Sequence, residues 1–440
     1  VYAIGQLSVY GISSNVLTTR LDKATSDLAQ YCFEDSVQHL RGQSAHRLLM
    51  ALALFVKSAS QNAIAQIAFS DTNFNPRIHP NSQSLGALDQ LYRLRLIVQH
   101  GERYDMHPLS REYALAELQS HFIFEQEARE RWVHWYFQFS QPYKQQDWRQ
   151  WHDYQDLDQE WENLQAVIDW CIHQNRYEEV KAFWQHVKGY TYVRGYWHER
   201  LDWIDWLLQE ARERQDQTMI AEALGDKGWT LTLMVMGKPE QLAEVDALFE
   251  EQLSNLQASE DLSLQLELIY ERVVLSIHQR KFDQTHQFLA QWRNLLQHAE
   301  LEEAKCLCQR IRIDYYEAEV GFRTGNYQQA KIGYSSALEQ ARLAQWQQVE
   351  VYCLNWLADI ALEGKGNYEE AEQLLAQSWP IAQQRKDRRS ITFHQRSWAN
   401  LEKMRGNISE FQRWATQAKQ GFESLGMLAE AREMQSWLDE

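Results

Sequence analysis

The sequence predicts a mainly α protein, a winged-helix domain followed by an α-solenoid superhelix of stacked helical hairpins. Three observations carry that reading. Thr324-Gly325-Asn326-Tyr327-Gln328-Gln329-Ala330 returns as Lys365-Gly366-Asn367-Tyr368-Glu369-Glu370-Ala371 and, more worn, as Arg405-Gly406-Asn407-Ile408-Ser409-Glu410-Phe411. Repetition at an interval of tens of residues marks an array in which each hairpin covers the apolar face its neighbour cannot bury alone. The 440 residues include only 18 Gly and 6 Pro, while Gln, Glu, Leu, Ala and Arg recur, so the material suits helices and not turn-rich β architecture. Residues 44–119 follow a different grammar, three short helices and then a β-hairpin.

Residues 1–35 read as short helices left over from a larger helical region. Val1 opens inside a helical pattern, which reads as a cut, with the chain forming the C-terminal part of something longer. Within residues 36–120, Ser44 to Phe55 is an apolar helix, Ser60 caps a second that runs to Phe69, and Ser82 or Ser84 starts a third that runs through Leu94. Strands at Leu96 to His100 and Arg103 to Met106 follow, joined by the tight turn Gly101-Glu102. The third helix of a winged helix often enters the DNA major groove. Here it offers Gln83, Gln90 and Arg93 without a basic face, and the net charge of the chain is -17, which opposes nucleic acid and anionic membrane surfaces.

Residues 121–175 are dense in tryptophan (Trp132, Trp135, Trp148, Trp151, Trp161, Trp170) and read as an aromatic connector, since each indole covers much apolar area. Their carboxylates Asp147, Asp153, Asp156, Asp158, Glu160 and Glu162 read as solvated faces and caps. From residue 176 to 440 the text is helix pairs, whose second members begin near Tyr196, Pro239, Phe282, Tyr327, Tyr368 and Ile408. These starts lie roughly 40 to 45 residues apart, longer than the ~34 of the commonest helical hairpin repeat. In each Gly-Asn turn the glycine takes the left-handed conformation that ends one helix and the asparagine side chain caps the next. Arg385-Lys386-Asp387-Arg388-Arg389 reads as a solvated turn, and Leu428 to Leu438 as a terminal capping helix whose outer face carries Glu430, Arg432, Glu433, Asp439 and Glu440.

No reaction chemistry is legible. The five cysteines, Cys32, Cys171, Cys306, Cys308 and Cys353, lack paired metal-site spacing, and Cys306 and Cys308 point to different helix faces. They read as reduced, buried thiols of a cytoplasmic protein. No apolar run is long enough to span a bilayer. The histidines form no H-E-x-x-H pattern, no G-x-S-x-G elbow occurs, and there is no G-x-x-x-x-G-K-[ST] phosphate loop. The expectation is a non-enzyme with no catalytic residue, no metal and no cofactor of its own.

Two resemblances sharpen this. An aromatic after the turn with a small residue three positions on (Tyr327 and Ala330, Tyr368 and Ala371), Ala318 or Ala358 before it and Ala337 or Ser378 after it, resembles the tetratricopeptide repeat. The N-terminal third resembles the end of the nucleotide-binding region of STAND-type signalling ATPases, the NB-ARC relatives, through Tyr31-Cys32-Phe33, the run Leu48 to Phe55, and Arg103 to Ala114. In that family the second strand of the winged helix ends in Met-His-Asp, whose histidine touches the β-phosphate of ADP. His107 occupies that place, and Pro108 replaces the aspartate. Residues 160–170 and 194–201 resemble the join between switch and repeat sensor in bacterial members.

The resemblance implies a parent protein that uses ADP or ATP with Mg, an upstream nucleotide-binding domain whose last helical part is residues 1–35, and nucleotide sensing at His107. It further implies a protein or small-molecule ligand on the concave face of the repeats, held by aromatics and arginines of the inner helices, and oligomerisation of the parent on activation. Two other readings stand beside it: a repeat scaffold without switching, and a transcription regulator that contacts DNA through Leu85 to Leu94.

Overall fold

Helix-forming sequence gives helix nearly throughout: twenty α-helices and three short strands among residues 28–69, 82–144, 153–235, 239–256, 262–298 and 301–440, which the computed structural model describes. The short helices expected before Leu28 lie outside the described residues. Contacts divide the chain into two units, residues 1–142 with 154–183, and residues 143–153 with 184–440. No described helix is long and apolar enough to cross a membrane.

The first unit contains α1 (Leu28–Leu40), α2 (Ser44–Leu52), β1 (Ala59–Ser60), α3 (Gln61–Ala68), α4 (Ser82–Arg93), β2 (Val98–His100), β3 (Arg103–Asp105), α5 (Pro108–Ser120), α6 (Phe122–Ser140) and α7 (Gln155–His173). Ser60 caps α3 by accepting the Ala63 N–H, and Gly101, at φ +62°, makes the hairpin turn. The sheet has the antiparallel order β1-β3-β2, with Ala59 opposite Tyr104 and Val98 opposite Asp105. Two-residue β1 is too short to leave a period in the sequence, so only the hairpin was foreseen. Leu48, Leu49, Ile64, Leu88 and Leu91 are fully buried between the helices.

Glu160 corrects the expectation of solvated carboxylates. It is buried, ion-paired to Arg103 at 2.6 Å, and accepts from the Tyr136 hydroxyl at 2.6 Å and the Asn163 amide at 3.0 Å. Asn163 in turn accepts from the N–H groups of Val56 and Lys57. A carboxylate is tolerated in an interior when it is paired and hydrogen-bonded, and the pattern of polar residues along α7 gives no sign of that. Trp132, Trp135 and Trp161 are buried, whereas Asp147, Trp148 and Trp151 lie outside the described residues.

The second unit is an array of six hairpins and a last helix. The pairs are α8 (Tyr177–Arg194), of which the part from Trp184 onward belongs to this unit, with α9 (Trp197–Arg214), α10 (Gln217–Met234) with α11 (Pro239–Leu256), and α12 (Leu262–His278) with α13 (Phe282–Gln297). Next come α14 (Glu303–Arg323) with α15 (Tyr327–Leu343), α16 (Gln347–Lys365) with α17 (Tyr368–Arg385), and α18 (Arg388–Arg405) with α19 (Ile408–Ser424), then α20 (Leu428–Asp439). The second helices start within one residue of the expected positions. Gly325, Gly366 and Gly406 have φ of +79°, +59° and +75°. Asn326 and Asn367 cap α15 and α17 through the N–H groups of Gln329 and Glu370. Asn407 departs from this, making no cap bond and donating instead to the Glu402 carboxylate. A Cβ on Gly333 would lie 2.8 Å from that of Ala318, which shows how closely α14 and α15 cross.

The array closes on itself. Trp197 and Leu233 share one buried cluster with Phe422, Leu425 and Met427, so the first hairpins pack against the last. Arg194 donates to the carbonyls of Arg385 and Lys386 at 3.0 and 3.1 Å. A Cβ on Gly195 would meet Leu425 at 2.5 Å, and one on Gly426 would meet Met234 at 2.6 Å. The last helix keeps an exposed polar face in Arg432, Glu433, Asp439 and Glu440, while its Ala431 and Met434 pack against the opposite end of the array and Glu430 turns toward the interior.

Candidate functional site

Closure of the second unit leaves an interior cavity of about 540 Å³. Its wall is built mainly from the first helix of each hairpin, because the second helices form the outer layer. The lining is aromatic and charged together. A belt of neighbouring rings crosses successive inner helices: Tyr192 to Trp229 (6.5 Å between centroids), Trp229 to Tyr270 (4.9 Å), Tyr270 to Tyr316 (5.7 Å) and Tyr316 to Tyr315 (5.0 Å). Trp356 continues it by donating its indole N–H to the Tyr315 hydroxyl at 2.7 Å. These rings are half-buried and line the cavity.

Arginines of the lining are mostly answered by carboxylates. Arg200 pairs with Asp226 at 2.7 Å, Arg312 with Glu267 at 2.9 Å, Arg323 with Glu319 at 2.8 Å and Arg396, loosely, with Asp359 at 3.8 Å. Burial, with Glu267 and Asp226 near, pushes the Glu271 carboxyl well above the usual carboxylate range. Burial likewise raises Asp359, and it pushes Glu430 up to about 7. Burial thus disfavours the charged form of these acids, and Glu430, at about 7, is partly protonated at neutral pH.

Behind the wall, His394 sets one lining residue. The Trp398 indole N–H can only donate, and it donates to Nε2 of His394 at 2.7 Å, which leaves Nδ1 to carry the proton toward Oδ1 of Asn355 at 3.1 Å. Ser378 also donates to that oxygen, at 2.9 Å. Asn355 is thereby fixed with its carbonyl outward, and its amide nitrogen has no partner. Buried polar atoms without a partner recur in this region: the Tyr352 hydroxyl, Oδ1 of Asp359, Nε of Arg389 and Arg396, and Oε2 of Glu430. Native interiors leave few such groups, and these all belong to residues that line the cavity.

The basic run 385–389 is not a solvated turn. Arg385 and Asp387 are buried, Asp387 caps α18 by accepting the Ser390 N–H at 3.0 Å, and Arg389 lines the cavity; only Lys386 and Arg388 are exposed. From sequence, a cation facing a closed interior looks the same as one facing water.

In the first unit, His107 is exposed at the junction of β3 and α5, with Nδ1 accepting from the Leu109 N–H at 3.4 Å and Pro108 in the first turn. A second histidine cluster went unforeseen: His46, Glu117 and His121 bring ligand-type atoms within 4.8 Å of one another. Glu117 also holds Arg41 through two 3.2 Å hydrogen bonds, and burial lowers the pKa of His46, so the group works as an internal ion-pair network. Of the thiols, Cys171, Cys308 and Cys353 are buried and Cys306 half-buried, while the side chain of Cys32 lies outside the described residues.

No family model and no curated protein matches the chain. Among solved structures, a STAND protein with a tetratricopeptide repeat sensor from Pyrococcus horikoshii is similar, with a TM-score of 0.47 and 15% identity over 99% of this chain. The match covers 61% of that protein, so the chain spans less than two thirds of its length.

Proposed function

We propose that this chain is the sensor portion of a signal-transduction switch of the STAND type, in which the tetratricopeptide-like array binds a small molecule in its interior cavity. The cavity carries the reading. Its volume of about 540 Å³ lies in the range of small-molecule sites, and its wall sets aromatic rings beside fixed charged and polar groups. A cavity of that size suits a small ligand better than a folded partner. The first unit, read as a winged helix from its three helices and β1-β3-β2 sheet, would pass occupancy to a nucleotide switch holding ADP or ATP with Mg in the parent protein. There the imidazole of His107, whose Nδ1 already accepts from Leu109, has Nε2 left to donate to a phosphate oxygen. Oligomerisation of the parent would follow.

A thermal-shift screen of small-metabolite mixtures tests the central step. Ala429 lines the cavity, and Ala429→Trp fills it. At least one mixture should raise the Tm of the wild type and leave the variant unmoved. Silence of every mixture, or equal shifts in both proteins, would remove the cavity from the account.

A further inference from the structure

Among the lining guanidiniums of the described residues, Arg389 and Arg280 lack a carboxylate partner, and of the two Arg280 is exposed while Arg389 is half-buried. Arg200, Arg312, Arg323 and Arg396 each have a carboxylate within 4.0 Å, whereas Arg389, among the described residues, has none. Its neighbours are aromatic: the Phe393 ring at 4.7 Å, the Tyr352 ring at 5.5 Å, and the phenols of Tyr192 and Tyr315. Glu430 of the wall feels the Arg389 charge from beyond ion-pair distance; a guanidinium keeps its charge at any physiological pH, and partial burial without a counter-charge in contact is costly. The Tyr352 hydroxyl beside it has no partner, and neither has Nε of Arg389 itself.

We propose that the cavity binds a small molecule bearing an oxyanion, a carboxylate or a phosphoryl group, anchored on Arg389 with the Tyr352 hydroxyl as second donor. The guanidinium fork donates two parallel N–H bonds to such a group, and the phenol adds a third. The ligand supplies the missing negative charge. The ring belt from Tyr192 to Tyr316 offers its remaining, flat part a stacking surface, so a planar oxyanion fits better than an inorganic one. This rests on the cavity being the ligand site.

Sodium phosphate, sodium sulfate, phenyl phosphate and benzoate are each titrated into the full 440-residue chain against sodium chloride of equal ionic strength, with Tm and tryptophan fluorescence as readouts. The wild type should respond saturably to the planar anions, about tenfold more tightly than to the inorganic ions. The stronger of phenyl phosphate and benzoate identifies the group as phosphoryl or carboxylate. Arg389→Gln should weaken the response at least about tenfold, and Arg293→Gln, at an exposed position of α13 away from the cavity wall, should leave it unchanged. Because Arg389→Gln removes a half-buried charge with no counter-charge in contact, the unliganded variant should melt no lower than the wild type. Tyr352→Phe, which deletes an unpartnered hydroxyl and keeps the ring, gives the same comparison in a protein whose packing is undisturbed, with a loss of about threefold.

No saturable response beyond chloride in the wild type, or unchanged affinity in both Arg389→Gln and Tyr352→Phe, overturns the proposal. If metabolite mixtures still shift the wild type but not Ala429→Trp while all four anions fail, the cavity remains a ligand site for an uncharged molecule and only the oxyanion falls.

Discussion

His394 shows how one side chain ties stability to pH in this protein. It is fully buried, stacked on Trp379 at 4.7 Å, and held neutral by the Trp398 donor on Nε2. Burial pushes its pKa down to about 3, against 6.5 for an unperturbed histidine. The unfolded chain therefore binds a proton that the folded one refuses: stability is complete above pH 6.5 and falls as the pH drops toward 3. At pH 5 the loss from this group alone is about 2 kcal/mol. His394→Gln should lower stability at pH 7.5, through the broken network, but lose about 2 kcal/mol less than the wild type between pH 7.5 and pH 5 in urea titrations. An identical pH slope in the two proteins would show that His394 does not set it. Sequence alone could not have found this histidine, nor Arg389 or Glu430. Each stands in an ordinary polar pattern: the packing of adjacent hairpins buries His394, and the closing of the array decides that Arg389 and Glu430 face the cavity.

At the scale of the element, the hairpin turns were the most legible feature of the chain. Gly325-Asn326 and Gly366-Asn367 place a left-handed residue and a cap next to each other, two local requirements that residue type alone can meet. The three related turns should nevertheless respond differently to the loss of asparagine. Asn326→Ala and Asn367→Ala should each cost about 1 kcal/mol, because each removes a cap bond, and Asn407→Ala only about a third of that, because its side chain makes none. Urea denaturation of the three variants separates the cases; equal losses would mean that the helix cap is not what these residues provide. Less legible were elements whose identity depends on distant partners. β1 exists only because Tyr104 and Arg103 pair with it, and the inward face of α20 only because it meets the first hairpins.

For the repeat array as a whole, the joint between its two ends matters most. Gly195 and Gly426 lie there at φ of +76° and +71°, where a side chain would have to push the ends of Leu425 and Met234 aside. Gly195→Val and Gly426→Val should each destabilise the protein by about 1–3 kcal/mol beyond Gly325→Val. Gly325, at φ +79°, carries the same backbone strain but faces open space, so the excess isolates the wedge at the joint. Thermal melts of the three variants measure it, and matched Tm values would show that the ends do not hold one another. The sequence indicated a stacked array and its interval, but not that the array ends where it began. Curvature accumulates from small rotations at every hairpin, and no single residue encodes the total.

A ring also sets its own copy number. An open solenoid can gain or lose a hairpin during evolution and merely become longer or shorter, since each unit touches only its immediate neighbours. Here the excision of one pair would leave a gap of roughly two helix widths, ~20 Å, between surfaces that must meet. Divergence within this half of the chain is therefore channelled away from duplication and deletion and into the identities of inward-facing side chains.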